Sequence, residues 1–314
     1  MVIRVLSKGK QLNANLKIKL GRITLKNPVL VASGTFGYGE EYAELIDLNE
    51  LGGVITKAVT LEPRKGNPPP RLAETPAGLL NAIGLENPGV EVFLKEKLPF
   101  LRRFDTAIIV NIAGEKEKEY LGLAERLNQA KGIDALEVNI SCPNVKEKGL
   151  IFGTDPEQTF SLVKKLREIT DTPLIVKLTP NITDITQTAR ACEEAGAEAL
   201  SLINTVMGMS IDVETRKPKL GNVTGGLSGP AIRPISVRMV WETFQKVNLP
   251  LIGMGGITNT EDALEFILTG ASAVAIGTAN FLDPKTALKV IEGIKQYMQA
   301  KGIKNFKDLI GWLK

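Results

Sequence analysis

Apolar residues in this chain fall into short, nearly continuous runs separated by stretches where they recur every third or fourth position. Eight runs, at 29–33, 53–58, 107–113, 135–141, 173–179, 199–205, 250–255 and 273–278, read as strands. Helical spacing fills 91–103, 115–131, 156–169, 184–196, 230–247, 261–269 and 284–300. Strands that read as unbroken Val/Ile/Leu are buried on both faces, as in a parallel sheet covered by helices. Eight such units predict a (β/α)8 TIM barrel of the α/β class rather than an open sheet. Ahead of them, Leu16-Lys-Ile-Lys-Leu20 and Ile23-Thr-Leu-Lys26 flank Gly21-Arg22, which predicts an N-terminal β-hairpin. No linker or low-complexity segment interrupts the pattern, so residues 1–314 are expected to form one domain.

Two connections are too long for simple turns. One spans 60–89 and holds Asn67-Pro-Pro-Pro-Arg71; the other spans 206–229, and its 211–219 stretch suggests a small hairpin. A shorter loop, 145–154, is rich in Lys, Glu and Gly. All three follow barrel strands and belong to the carboxyl-terminal face, where barrel active sites are built. Long loops inside compact domains commonly serve as lids or walls.

The strand ends carry the candidate chemistry. They are Lys57, Asn111, Asn139 with Cys142, Lys177, Asn204-Thr205, Gly255-Gly256 and Gly277-Thr278. Pro143 has no N–H to pair, so it ends its strand and leaves Cys142 at the mouth. Each residue also has a plainer reading: a snorkelling lysine, an asparagine capping a loop, a turn glycine, a small buried thiol. Lys177 shares a strand face with Ile175 and Thr179, so it points into the barrel or into the helix layer, and neither is cheap without an anion nearby. Glu137, two residues before Asn139 on the same face, is placed either to pair with Lys177 or to face the helices. Glycines after strands seven and eight suit an anion held by backbone N–H groups.

Composition narrows the chemistry further. The chain is 43% hydrophobic and 24% charged, with a net charge of only +4, which argues against a nucleic-acid partner. No apolar run is long enough to cross a membrane, and the N-terminus has no secretory pattern. Histidine is absent, which removes Ser-His-Asp and Cys-His catalysis and histidine-ligated metals; no metal site is expected. The two cysteines, Cys142 and Cys192, form no metal-like spacing and point to a reduced, cytoplasmic protein. Two thiolates cannot by themselves hold an iron–sulfur cluster that needs four. Cys192 lies in a helical stretch and reads as structural.

With these residues assembled, the chain resembles the class 1 dihydroorotate dehydrogenases, FMN-dependent enzymes of pyrimidine (UMP) synthesis. The likeness runs from about Leu25 to Pro284. It rests on Ala32-Ser-Gly-Thr-Phe-Gly37, Asn139-Ile-Ser-Cys-Pro-Asn144, Val176-Lys-Leu-Thr-Pro180, Ile203-Asn-Thr205, Gly225-Gly-Leu-Ser-Gly-Pro230 and Ile252-Gly-Met-Gly-Gly256. The variant Asn81-Ala-Ile-Gly-Leu85 resembles the NAD-linked class 1B branch more than the fumarate-linked class 1A homodimers.

The resemblance implies roles. Cys142 is the base that takes the C5 proton of (S)-dihydroorotate while FMN N5 takes the C6 hydride. A free thiol has a pKa of about 8.5 and needs help from its surroundings to act as a thiolate. Ser33, Lys57, Ala58, Asn111, Asn139, Lys177, Ile203, Gly229, Gly255, Gly256, Gly277 and Thr278 are implied to bind FMN. Lys57, Asn81, Ala82, Ile83, Gly84, Leu85, Asn139, Asn204 and Thr205 are implied to bind substrate. The amides suit a pyrimidinedione, since each offers a donor and an acceptor.

No GxGxxG fingerprint follows a strand, so NAD has no evident site in this chain. The class 1B resemblance implies a partner subunit carrying FAD and an iron–sulfur cluster, joined as a two-plus-two heterotetramer. Related alternatives are a dihydropyrimidine dehydrogenase flavin module and a tRNA-binding flavin barrel; the second calls for a basic groove and an RNA-binding extension that the sequence does not display.

Overall fold

The computed structural model describes residues 14–141 and 152–313. Eight parallel strands close into a barrel: β1 (Val29–Val31), β2 (Gly53–Ile55), β3 (Ala107–Ile112), β4 (Ala135–Asn139), β5 (Leu174–Lys177), β6 (Ala199–Leu202), β7 (Leu251–Met254) and β8 (Ala271–Ile276). Each pairs with its neighbours in sequence, and β8 returns to β1. The eight runs predicted from the sequence are therefore the eight barrel strands. Most stop two or three residues earlier than expected, because the polar strand ends leave the ladder to face the carboxyl-terminal mouth.

Two apolar layers explain the unbroken strand runs. Along β3, Ile109 packs inward with Leu30, Ile55, Ala135, Ile175, Ala199, Ile252 and Ala273. Its neighbours Ile108, Val110 and Ile112 pack outward with the helix side chains. Alternate residues thus meet two different cores.

The covering helices include α1 (Glu117–Asn128), α2 (Pro156–Ile169), α3 (Ile185–Glu194), α4 (Arg233–Phe244), α5 (Thr260–Leu268) and α6 (Thr286–Lys301). Their starts follow capping chemistry. Asp155 accepts from Glu157 N and Gln158 N with Pro156 behind it, Asp184 from Thr186 N, and Asn259 from Asp262 N. Gly302 ends α6 in the left-handed region. Two helical stretches depart from expectation. The predicted helix 91–103 is interrupted by a π turn at Phe93–Lys97, and 230–247 opens as a 3-10 turn, Pro230–Ile232, before α4. Pro234, lacking an N–H, fits only the first turn of that helix.

The N-terminal hairpin forms as expected, Ile18–Leu20 against Ile23–Leu25. Leu20, Ile23 and Leu25 join the inward cluster and plug the amino-terminal end of the barrel. The barrel is therefore closed below and open only above.

Above the open end, the two long connections do more than form separate walls. Leu72–Thr75, Gly78–Asn81, Thr224–Ser228 and Val206–Met209 pair into one four-stranded antiparallel sheet. Gly226 permits this closeness, since a Cβ there would lie 2.0 Å from Thr205 Oγ1. The expected small hairpin is present too, Ile211–Asp212 against Lys217–Pro218. Most of the 145–154 loop lies outside the described residues.

Leu25→Ala tests the plug. Leu25 is fully buried, so truncation leaves a cavity beneath the barrel and should cost about 2–5 kcal/mol in urea unfolding. A loss below about 1 kcal/mol would show that the hairpin is not part of the core.

Candidate active site

The inward positions of the barrel change character from bottom to top. Below lie Ile and Ala; one rung higher, Asn111, Glu137 and Ser201 stand on β3, β4 and β6, and Lys177 on β5. All four are buried. Glu137 Oε2 accepts from Asn111 Nδ2 at 2.5 Å, and Glu137 Oε1 accepts from Ser201 Oγ at 2.7 Å. Lys177 Nζ lies 3.9 Å from Glu137 Oε2 and donates to Ser33 Oγ at 3.1 Å. Glu137 therefore faces the barrel interior and pairs with Lys177; it does not face the helices. Ser201, a lone serine in an apolar run, is a partner that sequence reasoning missed.

The chain leading to Cys142 is held firmly. Asn139 O accepts from Tyr120 OH at 2.8 Å, and Asn139 Oδ1 accepts from Ser141 N at 3.2 Å. Ser141 Oγ donates to Lys177 O at 2.7 Å. Cys142 itself lies outside the described residues.

Over this layer, between barrel and antiparallel sheet, is a cavity of about 310 Å³, within the usual range for small-molecule sites. Of the residues singled out in the sequence, Ser33, Lys57, Ala58, Asn81, Ala82, Ile83, Gly84, Leu85, Asn139, Lys177, Ile203, Asn204, Thr205, Gly229, Gly255, Gly256, Gly277 and Thr278 all line it. Asn111 does not: its side chain lies below, turned to Glu137, and its Oδ1 is buried without a partner. The sequence reasoning missed Gly34, Thr35, Glu86, Met207, Ser228, Met254, Ala275 and Phe281, which also line the cavity. Strand alternation, carried one step further, would have placed Met254 and Ala275 inward.

The walls are braced from outside. Asn67 Nδ2 donates to Ala82 O at 2.9 Å, and Asn87 Nδ2 to Leu85 O at 2.8 Å, which fixes the 81–85 segment from both sides. Asn81 Nδ2 donates to Gly226 O at 3.1 Å, tying that segment to the sheet. Asn204 Oδ1 accepts from Thr205 N at 2.9 Å. Lys57 Nζ stands 4.0 Å from Glu86 Oε2, whose carboxylate Arg71 holds at 2.9 Å.

At the other end of the cavity, Gly229, Gly255 and Gly256 all adopt positive φ. A Cβ on Gly256 would meet Gly229 O and Arg233 Cβ, each at 2.8 Å. The short helix Ala279–Leu282 begins beside them, after Thr278, whose Oγ1 donates to Ser228 Oγ at 2.8 Å. Glycine loops after β7 and β8 together with a short extra helix form the usual phosphate cradle of such barrels. The cavity lining thus combines an anion cradle, a buried lysine and a set of amides.

The family model described as dihydroorotate dehydrogenase matches residues 15–298. The chain belongs to the dihydroorotate dehydrogenase family. Among its relatives, the protein named dihydroorotate dehydrogenase B (NAD(+)), catalytic subunit, from Desulforudis audaxviator is 58% identical over 294 residues, covering 94% of this chain and 96% of the relative. The protein of the same name from Caldicellulosiruptor bescii is 55% identical over 297 residues, covering 95% and 98%. These likenesses place the chain in the NAD-linked, class 1B branch. A crystal structure of the dihydroorotate dehydrogenase of Eimeria tenella in complex with ferulenol superposes with a TM-score of 0.79 at 24% identity, over 96% of this chain and 89% of that one. At that identity the match speaks for the barrel fold alone.

Two measurements test the site. Gly256→Ala forces a side chain into left-handed backbone and against Gly229, so it should weaken binding of a phosphate-bearing ligand by about tenfold or more while the far-ultraviolet spectrum stays native. Unchanged affinity would remove the cradle from the site. Cys192 is buried and its thiol pushed well above the ordinary range by desolvation, so a thiol reagent should label it only after unfolding. Labelling of native Cys192 would contradict its burial.

Proposed function

We propose that this chain is the FMN-bearing catalytic subunit of an NAD-linked dihydroorotate dehydrogenase, oxidising (S)-dihydroorotate to orotate in pyrimidine synthesis. The observation that carries the reading is that a glycine cradle, a buried lysine and a bank of amides line a single cavity. These residues suit FMN in chemistry. The Gly229, Gly255 and Gly256 backbone with Gly277 and Thr278 would hold its phosphate, and Ser33, Ala58, Asn139 and Ile203 would contact the ring and its ribityl chain. Lys177 would stand by the pyrimidine part of the ring, where positive charge favours the reduced, anionic form. Asn111, one rung lower, does not line the cavity, and its Nδ2 donates to Glu137. When bound, FMN supplies the acceptor for the C6 hydride of the substrate.

The chain's own residues do the rest. Asn81, Asn139, Asn204 and Thr205 supply paired donors and acceptors for a pyrimidinedione, and Ala82, Ile83, Gly84 and Leu85 shape the wall it rests on. Lys57, set beside Glu86, supplies positive charge for the substrate carboxylate. Cys142 takes the C5 proton of the substrate onto its sulfur. With no histidine in the chain, thiolate character depends on other help, such as lysine charge or neighbouring amides.

The relatives' shared name, catalytic subunit, calls for a separate partner. We take that partner to carry FAD and an iron–sulfur cluster in a two-plus-two heterotetramer, with NAD reduced there. The barrel works as a single domain spanning the chain, in the cytoplasm. Among the described residues no helix is long and apolar enough to cross a membrane.

The test is anaerobic mixing of the flavin-loaded chain with dihydroorotate, following bleaching near 450 nm, roughly where oxidised flavins absorb. Wild type should bleach rapidly, and Cys142→Ala should slow it by about 10²-fold or more. Efficient NAD reduction by the isolated chain would overturn the need for a partner. Absence of bleaching in loaded wild type would reject dihydroorotate as substrate.

A further inference from the structure

We infer that Glu137 is a positioning residue for the redox chemistry: acting through Lys177, it holds down the reduction potential of the flavin. The inference rests on the reading that the cavity binds FMN, and it assigns a task to a buried carboxylate that the proposed mechanism leaves unused. Glu137 touches neither cavity nor substrate site; it is fully buried one rung below them.

The charge balance of the layer carries the argument. Lys177 is the buried cation lining the cavity. Its Nζ has a neutral partner, Ser33 Oγ at 3.1 Å, and a charged one, Glu137 Oε2 at 3.9 Å. Both oxygens of the Glu137 carboxylate already have donors besides the lysine. Asn111 Nδ2 occupies Oε2 at 2.5 Å and Ser201 Oγ occupies Oε1 at 2.7 Å. The layer is therefore a fixed dipole, positive toward the cavity and negative toward the barrel floor. Two-electron reduction adds negative charge to a ring lying over the positive end. Lys177 attracts that charge and raises the potential; Glu137, deeper and of opposite sign, cancels part of the attraction. In a water-poor barrel interior such a field is weakly screened.

A structural account of Glu137, as a mere partner that lets Lys177 be buried, predicts changes in stability and flavin affinity only. The redox account also predicts a signed shift in potential. Glu137→Gln keeps the shape and removes the charge, so the reduced-to-oxidised flavin ratio at a fixed dye potential should rise about tenfold, or about 30 mV for a two-electron couple. Ser201→Ala removes a donor from Oε1 and leaves the carboxylate more negative toward its surroundings; the ratio should fall. Both are read by anaerobic dye-coupled titration of the flavin-loaded protein. Opposite shifts in the two variants establish the inference. Unmoved potentials, or shifts of the same sign, overturn it even if stability or affinity changes. If Glu137→Gln does not retain flavin, a fall in Ser201→Ala supports the inference and an unmoved potential there overturns it. Wild-type protein that binds no FMN at all would instead sink the proposed function, so the two failures are distinct.

Discussion

A lysine and a glutamate sealed inside a barrel are the constraint on which this site depends. Removing an ammonium and a carboxylate from water costs several kcal/mol per ion, and attraction repays it only when the remaining donors and acceptors are satisfied. Glu137 meets that condition, with Asn111 and Ser201 on its two oxygens. Lys177 meets it only in part. An ammonium has three donors, and Ser33 is its hydrogen-bond partner among the described residues. Lys177 also lines the cavity, so a ligand that brings acceptors to it would add to that compensation, and its binding would feed into stability by mass action.

Around that pair the barrel divides its labour. On β1, β7 and β8 the positions near the mouth are mostly small, with Met254 the exception: Ala32, Gly255, Ala275 and Gly277 all line the cavity. On β4 to β6 and just beyond they are polar: Asn139, Lys177 and Asn204. One half of the rim makes room and the other supplies hydrogen bonds, which suits a flat polar ring held edge-on to its donors. The hairpin plug makes this asymmetry possible, because the closed lower end supplies the apolar core that the open end gives up.

The barrel was legible from the sequence because its signal is local. Each strand is a short apolar run with glycine or polar residues at its end, and three of the six covering helices, α2, α3 and α5, announce their starts with Asp155, Asp184 and Asn259. Boundaries slipped where a strand began on small residues: β8 starts at Ala271, two residues before the run read from the sequence. The antiparallel sheet over the mouth was not legible. Its central bond, Asn81 to Gly226, joins residues 145 apart, and its strands are four or five residues long, two of them with glycine in their interiors. Nothing in local periodicity reports such a pairing. The site shows the same division. Lys57, Lys177 and the glycines stood out as strand ends, and the resemblance extended that set, whereas Asn111 looks identical in sequence to a cavity asparagine and is turned away from the cavity by Glu137. Ser201 carries no signal until the strands are closed into a ring.

The roof and the floor answer to different constraints. The floor is made of residues whose positions are fixed by barrel register: Asn139 opposite Lys177, Lys177 opposite Ser201. Shifting any of these moves two strands and the outer helix layer with them. The roof grows from connections after β2 and β6, braced by Asn67, Asn87 and the sheet, and can change without disturbing a barrel strand. On the proposed reading, FMN is held chiefly by the floor and the cradle, and substrate chiefly by the roof. Cofactor identity is then tied to the fold itself, while substrate choice is set by segments such as 81–85 that the fold leaves free to vary. That separation follows from where the backbone is locked and where it is only braced.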